Sequence, residues 1–165
     1  MLRLESLQRL AFLAFLTCTA CARSGAGAET TPDPERIQRE EGAAMQLFRK
    51  NLRAIEQRNR DDYLSCYRPT DTLVRNGPEG VALGYAELAE GTPANGSDDW
   101  PERLDADQLE VHWVAPGVVY GSYRYVVTID GETTTGRSER VFIREGERWY
   151  IAVTTAFQSP GPLPE

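Results

Sequence analysis

The spacing of apolar residues changes period along the chain, and the change predicts where helices give way to strands. Ile37, Ala44, Phe48, Leu52 and Ile55 recur at spacings of three, four or their sum. That pattern draws one apolar stripe along a helix whose other faces carry Arg, Glu and Gln. Asp33-Pro34 supplies its start, with an aspartate to accept from an early amide and a proline where no amide partner is lost. Gly42 lies inside the stripe and argues for a weak point there. After Asn59-Arg60, Asp61-Asp62 can cap a short second helix carrying Tyr63, Leu64, Cys66 and Tyr67, which Pro69 stops. In the last third the helical spacing is lost. Segments 109–115, 118–129, 133–144 and 149–157 are rich in β-branched and aromatic residues, and Pro116-Gly117, Asp130-Gly131 and Glu145-Gly146-Glu147 separate them as tight turns. These predict four consecutive antiparallel strands.

The middle is less regular. A short strand is expected at 71–75, a turn at Asn76-Gly77-Pro78, a second short strand at 80–83, and a small helix after Gly84 through Tyr85 and Leu88. A loop rich in Gly, Asn, Asp and Pro follows over 91–103, within which Asn95-Gly96-Ser97 reads as a turn. Helices first and a meander last predict an α+β domain whose helices cover one face of a sheet.

The beginning of the chain follows a different rule. Arg3 and Arg9 flank a short polar start, an apolar run follows over 10–16, and Thr17-Cys18-Thr19-Ala20-Cys21 closes it with small residues. This is the layout of a bacterial export signal over 1–20, and the run is shorter than the roughly 20 residues a membrane span needs. Small residues before Cys21 resemble a lipobox, in which that cysteine takes lipid and anchors the chain, although Cys18 stands where the pattern prefers an aliphatic residue. Ordinary cleavage after Ala22 or Ala28 is the competing expectation and would leave the protein free. In a Gram-negative cell, Ala22 rather than Asp behind the cysteine would make the lipobox likeness imply the outer membrane. Residues 21–35 then read as a flexible tether, and 158–165, with three prolines, as an unstructured tail.

Charge and cysteine content narrow the function classes. The 165 residues carry a formal net charge of -7, one unit more negative once 1–20 are removed, and no basic stripe. Nucleic acid and anionic lipid headgroups are therefore excluded as partners on electrostatic grounds. His112 is the single histidine, placed between Val111 and Trp113 without an acidic cluster of ligand spacing, so no metal site is expected. Cys66 has no CxxC neighbour and reads as a small buried hydrophobe. No Gly-rich phosphate loop or GxSxG elbow is present, and no cofactor is expected.

Residues 54–67, the stretch Val74-Arg75-Asn76-Gly77-Pro78 with Gly84-Tyr85 beyond it, and above all 140–157 carry a family likeness. Over about 43–157 the chain resembles the nuclear transport factor 2-like superfamily, and its ending resembles the DUF4440 group within it. The resemblance implies a cone-shaped NTF2-like (cystatin-like) α+β fold over 36–157, with N-terminal helices packed on a strongly curved, mainly antiparallel sheet. It also implies a homodimer through the outer sheet face if that face carries an apolar row. Ketosteroid isomerases and SnoaL-type enzymes of this superfamily work inside the cone with Asp or His. Here Arg75 falls near the position of the isomerase base and Thr155 near that of a histidine common in relatives. No catalytic residue is therefore assigned.

Side chains alternate along a strand, so Trp149, Ile151, Val153, Thr155 and Phe157 are expected on one face, which the resemblance turns toward the cone. Tyr123, Tyr125 and Val127 join them, unless a one-residue shift presents Tyr120, Arg124 and Val126 instead. Arg137 and Glu139 share a face that reads as solvated, and Arg140 points oppositely. An inward Arg140 would neutralise a carboxylate ligand. The candidate pocket is thus Tyr123, Tyr125, Arg140, Trp149 and Thr155, suited to a small apolar or amphipathic ligand. A packed core with tyrosine hydroxyls at its rim is the competing reading of these residues. For function, the alternatives to a binder of a small ligand or protein partner are a lyase, isomerase or hydrolase working in the same cone, which requires an Asp, Glu or His inside, and a dimeric assembly module with a filled cone.

Overall fold

The computed structural model describes residues 33–159. The expected signal, Cys21, nearly all of the tether and the last six residues lie outside them.

Helix α1, Pro34–Glu56, begins as the sequence predicts: Asp33 accepts from the Glu35 amide at 3.0 Å and Pro34 occupies the first turn. It runs unbroken through Gly42. Its buried side is Glu40, Ala44, Phe48, Asn51, Leu52 and Ala54, so two polar residues share the apolar stripe while Ile37 and Ile55 are only half-buried at its ends. Arg58 turns the corner with φ 52°. Helix α2, Arg60–Ser65, starts earlier than expected because Asn59, not Asp61 or Asp62, caps it by accepting from the Asp62 amide at 2.9 Å.

Strands β1, Val74–Gly77, and β2, Gly80–Leu83, form a hairpin, and helix α3, Tyr85–Gly91, follows. Then come β3, Arg103–Ala115, β4, Val118–Ile129, β5, Glu132–Glu145, and β6, Arg148–Gln158. β3 starts six residues before the predicted strand. As an edge strand it alternates charged Arg103, Asp105 and Asp107 with Leu104 and Ala106, and a bulge with Gln108 at φ 50° interrupts that alternation before the apolar part begins. Gln158 ends β6 rather than opening the tail, and the Ser159 amide donates to Thr135 O at 2.9 Å.

The six strands form one curved sheet in the order β2-β1-β6-β5-β4-β3, with β1 parallel to β6 and every other pair antiparallel. α1 lies across β3, β4 and β6. Phe48 sits at the centre of that contact, 5.2 Å from the Tyr123 ring and 5.4 Å from Phe142, with Val119 and Ile151 fully buried nearby.

Gly121 makes the close approach of α1 feasible. A Cβ there would stand 2.9 Å from the Phe142 ring, 3.2 Å from Glu110 O and 3.3 Å from the Phe48 ring. Two rings and a backbone oxygen cannot all give way, so Gly121→Ala is expected to cost about 1–3 kcal/mol by overpacking. A lower urea midpoint at unchanged m-value is the result to look for.

Candidate functional site

Register on the inner face divides the cone into a packed end and a hollow end. Arg140 marks the division. Toward α1's contact with the sheet, Val119 opposes Phe142, which in turn opposes Ile151, and these are fully buried. In the other direction Tyr123 opposes Ser138, Tyr125 opposes Gly136, and Val127 opposes Thr134, while Thr154, Ala156 and Gln158 of β6 continue the rows. Large side chains on β4 therefore face small ones on β5 and β6, and small residues leave space. A cavity of about 370 Å³ results, lined by these side chains together with Ile55 of α1, Tyr63 of α2, Tyr67 just beyond α2, Leu104 of β3, Ile129 of β4, and Pro78 and Pro101 from loops. Exposed Ile129 and Gln158 mark its mouth, and Arg140, 5 % exposed, lies at its depth.

Gly136 is the residue that lets Tyr125 lie flat across β5. A Cβ at that position would come 2.1 Å from Phe157 O and 2.5 Å from the Tyr125 hydroxyl.

Arg140 is tied down at one nitrogen. Nη1 donates to Ser138 Oγ at 2.5 Å, to Thr154 Oγ1, and to Glu139 O at 3.1 Å. Nη2 has one long contact, 3.4 Å to the Tyr123 hydroxyl, and Nε is buried with no partner. The guanidinium carbon sits 5.4 Å from the centre of the Tyr123 ring and 6.0 Å from that of Phe48, within the range of cation–π attraction. None of the ion pairs among the described residues includes Arg140.

Above it the Tyr67 hydroxyl bonds to that of Tyr63 at 2.9 Å. Burial, with the Tyr67 hydroxyl discouraging ionisation, pushes Tyr63 well above the usual tyrosine range; burial also raises Tyr67, against the opposing pull of Arg140 and the Tyr63 hydroxyl, and Tyr125. At neutral pH these phenols are protonated. The 92–102 segment closes part of the wall. Arg58 pairs with Asp98 at 2.8 Å, Arg60 donates to Thr92 O at 3.2 Å, the Trp100 indole donates to Ala94 O at 2.8 Å, and the Trp100 ring meets Tyr63 edge-on at 5.6 Å.

Three of the five sequence-derived pocket residues, Tyr123, Tyr125 and Arg140, line this cavity; Trp149 and Thr155 do not. The cause is a bulge at Ala152: Phe142 pairs with Ile151 but Val141 pairs with Val153, so one extra β6 residue reverses the alternation. Trp149 and Ile151 stay inward at the packed end, where Trp149 borders a separate hollow with Arg36, Arg39, Glu40 and Arg144. Val153, Thr155 and Phe157 turn to the outer face, and Thr154, Ala156 and Gln158 take their place within. Tyr63, Tyr67, Ser138 and Thr154 are the polar residues nearest Arg140 among the lining residues the sequence reading missed. The i,i+4 spacing of the two tyrosines and the small-residue alternation Thr134, Gly136, Ser138 ahead of Arg140 were the available signals.

Other candidate groups lie elsewhere. His112 is exposed on the outer face, 3.8 Å from Glu110. Burial pushes the Cys66 thiol up to about 11, and its Sγ donates to Asp62 O at 3.2 Å, so it is not a nucleophile at neutral pH. No cluster of three or more potential metal ligands occurs among the described residues, and none of the described helices is long and apolar enough to cross a membrane.

No protein-family profile matches the chain, and no curated protein matches it. Solved structures do. An NTF-2 like protein of unknown function from Shewanella oneidensis superposes with a TM-score of 0.61 at 16 % identity, over 70 % of this chain and 97 % of its own. A DUF3225-family protein of unknown function from Pectobacterium atrosepticum gives 0.63 at 14 % identity, over 78 % and 99 %. A cystatin-like fold protein from Burkholderia xenovorans gives 0.61 at 15 % identity, over 75 % and 95 %. At these identities the likeness is one of fold, and the chain has the cone-shaped NTF2-like, or cystatin-like, α+β fold.

Proposed function

We propose that this chain is an exported, lipid-anchored envelope protein whose NTF2-like domain, of DUF4440 type, holds a small amphipathic ligand in its cone without transforming it. The observation that carries the binding part is the cavity above Arg140: a buried cation, a ring of protonated phenols and an apolar wall around about 370 Å³. That volume lies at the small end of the roughly 300–1,000 Å³ typical of ligand pockets. General acid–base chemistry draws on Asp, Glu or His within reach of the reacting atoms. The lining among the described residues offers none of these, which favours binding over turnover.

The outer sheet face bears on the assembly reading. Arg124 holds Asp107 through two nitrogens, Arg137 donates to Ser122 Oγ at 3.2 Å, and exposed Phe157 stands opposite Arg137. A second copy docking there would have to desolvate those charges. The anchor rests on the sequence of 1–21 and its lipobox likeness.

Native mass spectrometry of the full chain, produced with its own leader and extracted from membranes in mild detergent, tests both parts. The expected result is a mass carrying acyl chains on Cys21 together with a species lost on denaturation. An unmodified chain beginning after Ala22 or Ala28 would refute the anchor. A bare domain that also shows no thermal shift with small acids, alcohols or amines would refute ligand binding.

A further inference from the structure

We propose that the ligand is a monocarboxylate with an apolar body, its head on the Nε–Nη2 edge of Arg140 and its body running along Tyr125 and Val127 toward Ile129. This rests on the reading of the cavity as a small-molecule site and specifies what enters it.

The two buried charged side chains of the described residues are treated differently. Glu40, 7 % exposed, is met by Arg36 at 3.1 Å and Arg144 at 3.5 Å and by two further donors. Arg140 is as deeply buried and has no anion. Taking a charge out of water without a partner is costly, and burial does not discharge a guanidinium. The local design thus leaves one positive charge awaiting one negative charge.

The hydrogen bonds show which part of Arg140 is reserved. Ser138, Thr154 and a backbone carbonyl hold Nη1, fixing the plane of the group from one end. Nη2 and Nε lie along one edge, the edge that grips both oxygens of a carboxylate in the side-on geometry. Along that edge there is only the 3.4 Å contact with Tyr123. Tyr63 and Tyr67 stay neutral, so neither is a rival anion, and with the Tyr67 proton given to Tyr63 the Tyr63 hydroxyl is the one free to donate. Arg75, whose guanidinium pairs with Glu87 at 3.3 Å, borders neighbouring hollows and not this one. A single cation balances a monoanion; a phosphate dianion would leave a negative charge unpaired in a phenol-lined, apolar site.

Calorimetric titration of the full chain with 4-phenylbutanoate, 4-phenylbutanamide and 4-phenylbutylamine, against detergent blanks, separates the alternatives. Charged hydrogen bonds contribute enough that the acid is expected to bind about 30-fold more tightly than the amide, with the amine weakest. In Arg140→Gln the acid should fall to the level of the amide, and in Arg140→Lys, which keeps the charge but loses the fork, to an intermediate affinity. Equal binding of acid and amide by the unmodified chain would overturn the carboxylate assignment while leaving the ligand-binding reading intact. An amine preference would overturn it as well. Heat-silent titrations with all three, together with no retained species in the mass spectrum, would overturn both. The comparison of probes on the unmodified chain stands even if a variant fails to fold.

Discussion

Glu40→Ala is expected to lower the stability of the domain by about 2–4 kcal/mol, because it takes the acceptor from two donors at the contact of α1 with the sheet. Glu40 Oε2 accepts from the Trp113 indole at 2.9 Å and from the Gly117 amide at 2.9 Å, and Oε1 accepts from Arg36 at 3.1 Å. Leaving a buried donor without its acceptor costs about 1–3 kcal/mol each, whereas Arg36 and Arg144, each more than a third exposed, can rehydrate. The same carboxylate clamps α1 to the β3–β4 turn, and Glu41 adds a bond to the Trp113 amide at 2.8 Å. Burial alone would raise its pKa, but the Gly117 amide, the Trp113 indole and Arg36 outweigh that and hold it below the ordinary value. A depressed carboxylate contributes stability that is fully present above its unfolded pKa of about 4.3 and is lost as pH falls through the folded value. Urea midpoints from pH 7 downward should therefore decline below about pH 4.3 more steeply in the unmodified protein than in Glu40→Gln. Parallel slopes would show that Glu40 is not the group being titrated.

What the sequence disclosed and what it hid follow one physical division. Periodicity and turn chemistry report local preferences, and α1, the β4–β6 meander and the α+β class rest on those. Pairing across the sheet is non-local. The bulge at Ala152 has no signature within Trp149-Tyr150-Ile151-Ala152-Val153, since every residue there is apolar and either face suits it; only the partner strand reveals that Val141 and Phe142 span one β6 residue too many. That single insertion moved Thr155 outward and Thr154 inward. Glu40 and Asn51 were hidden for a related reason: a helical stripe is read from its apolar members, and a buried polar residue on it becomes intelligible only when its partner is known. Glu40 finds Trp113 more than seventy positions along the chain. The Asn51 side chain, fully buried, has no hydrogen-bond partner among the described residues. Tyr123, Tyr125 and Arg140 were legible because they lie on β4 and β5, where the inner-face alternation is uninterrupted from Val119 to Ile129 and from Thr134 to Phe142.

Arg140→Met should make the ligand-free protein more stable, by about 1–3 kcal/mol, while it removes carboxylate binding. A cation buried without a counter-ion is a liability for folding, and replacing buried charge with an apolar side chain of similar length is commonly neutral or stabilising. Little is orphaned by the change: the Ser138 hydroxyl loses the arginine but keeps its bond to Thr155 O, and the Thr154 and Tyr123 hydroxyls and the Glu139 carbonyl lose an arginine donor. The measurement is a pair of urea titrations at neutral pH, with and without 4-phenylbutanoate. Without it, the variant should unfold at higher urea than the unmodified chain. With the acid at about a hundred times its dissociation constant, the unmodified chain alone should gain about 2.7 kcal/mol, so that the order closes or reverses. A variant that is less stable than the parent in the absence of ligand would show instead that Arg140 is a structural hydrogen-bond node for β5 and β6. The two roles predict opposite signs, because a group retained for folding stabilises the empty protein, and a group retained for a ligand does so only when the ligand is there.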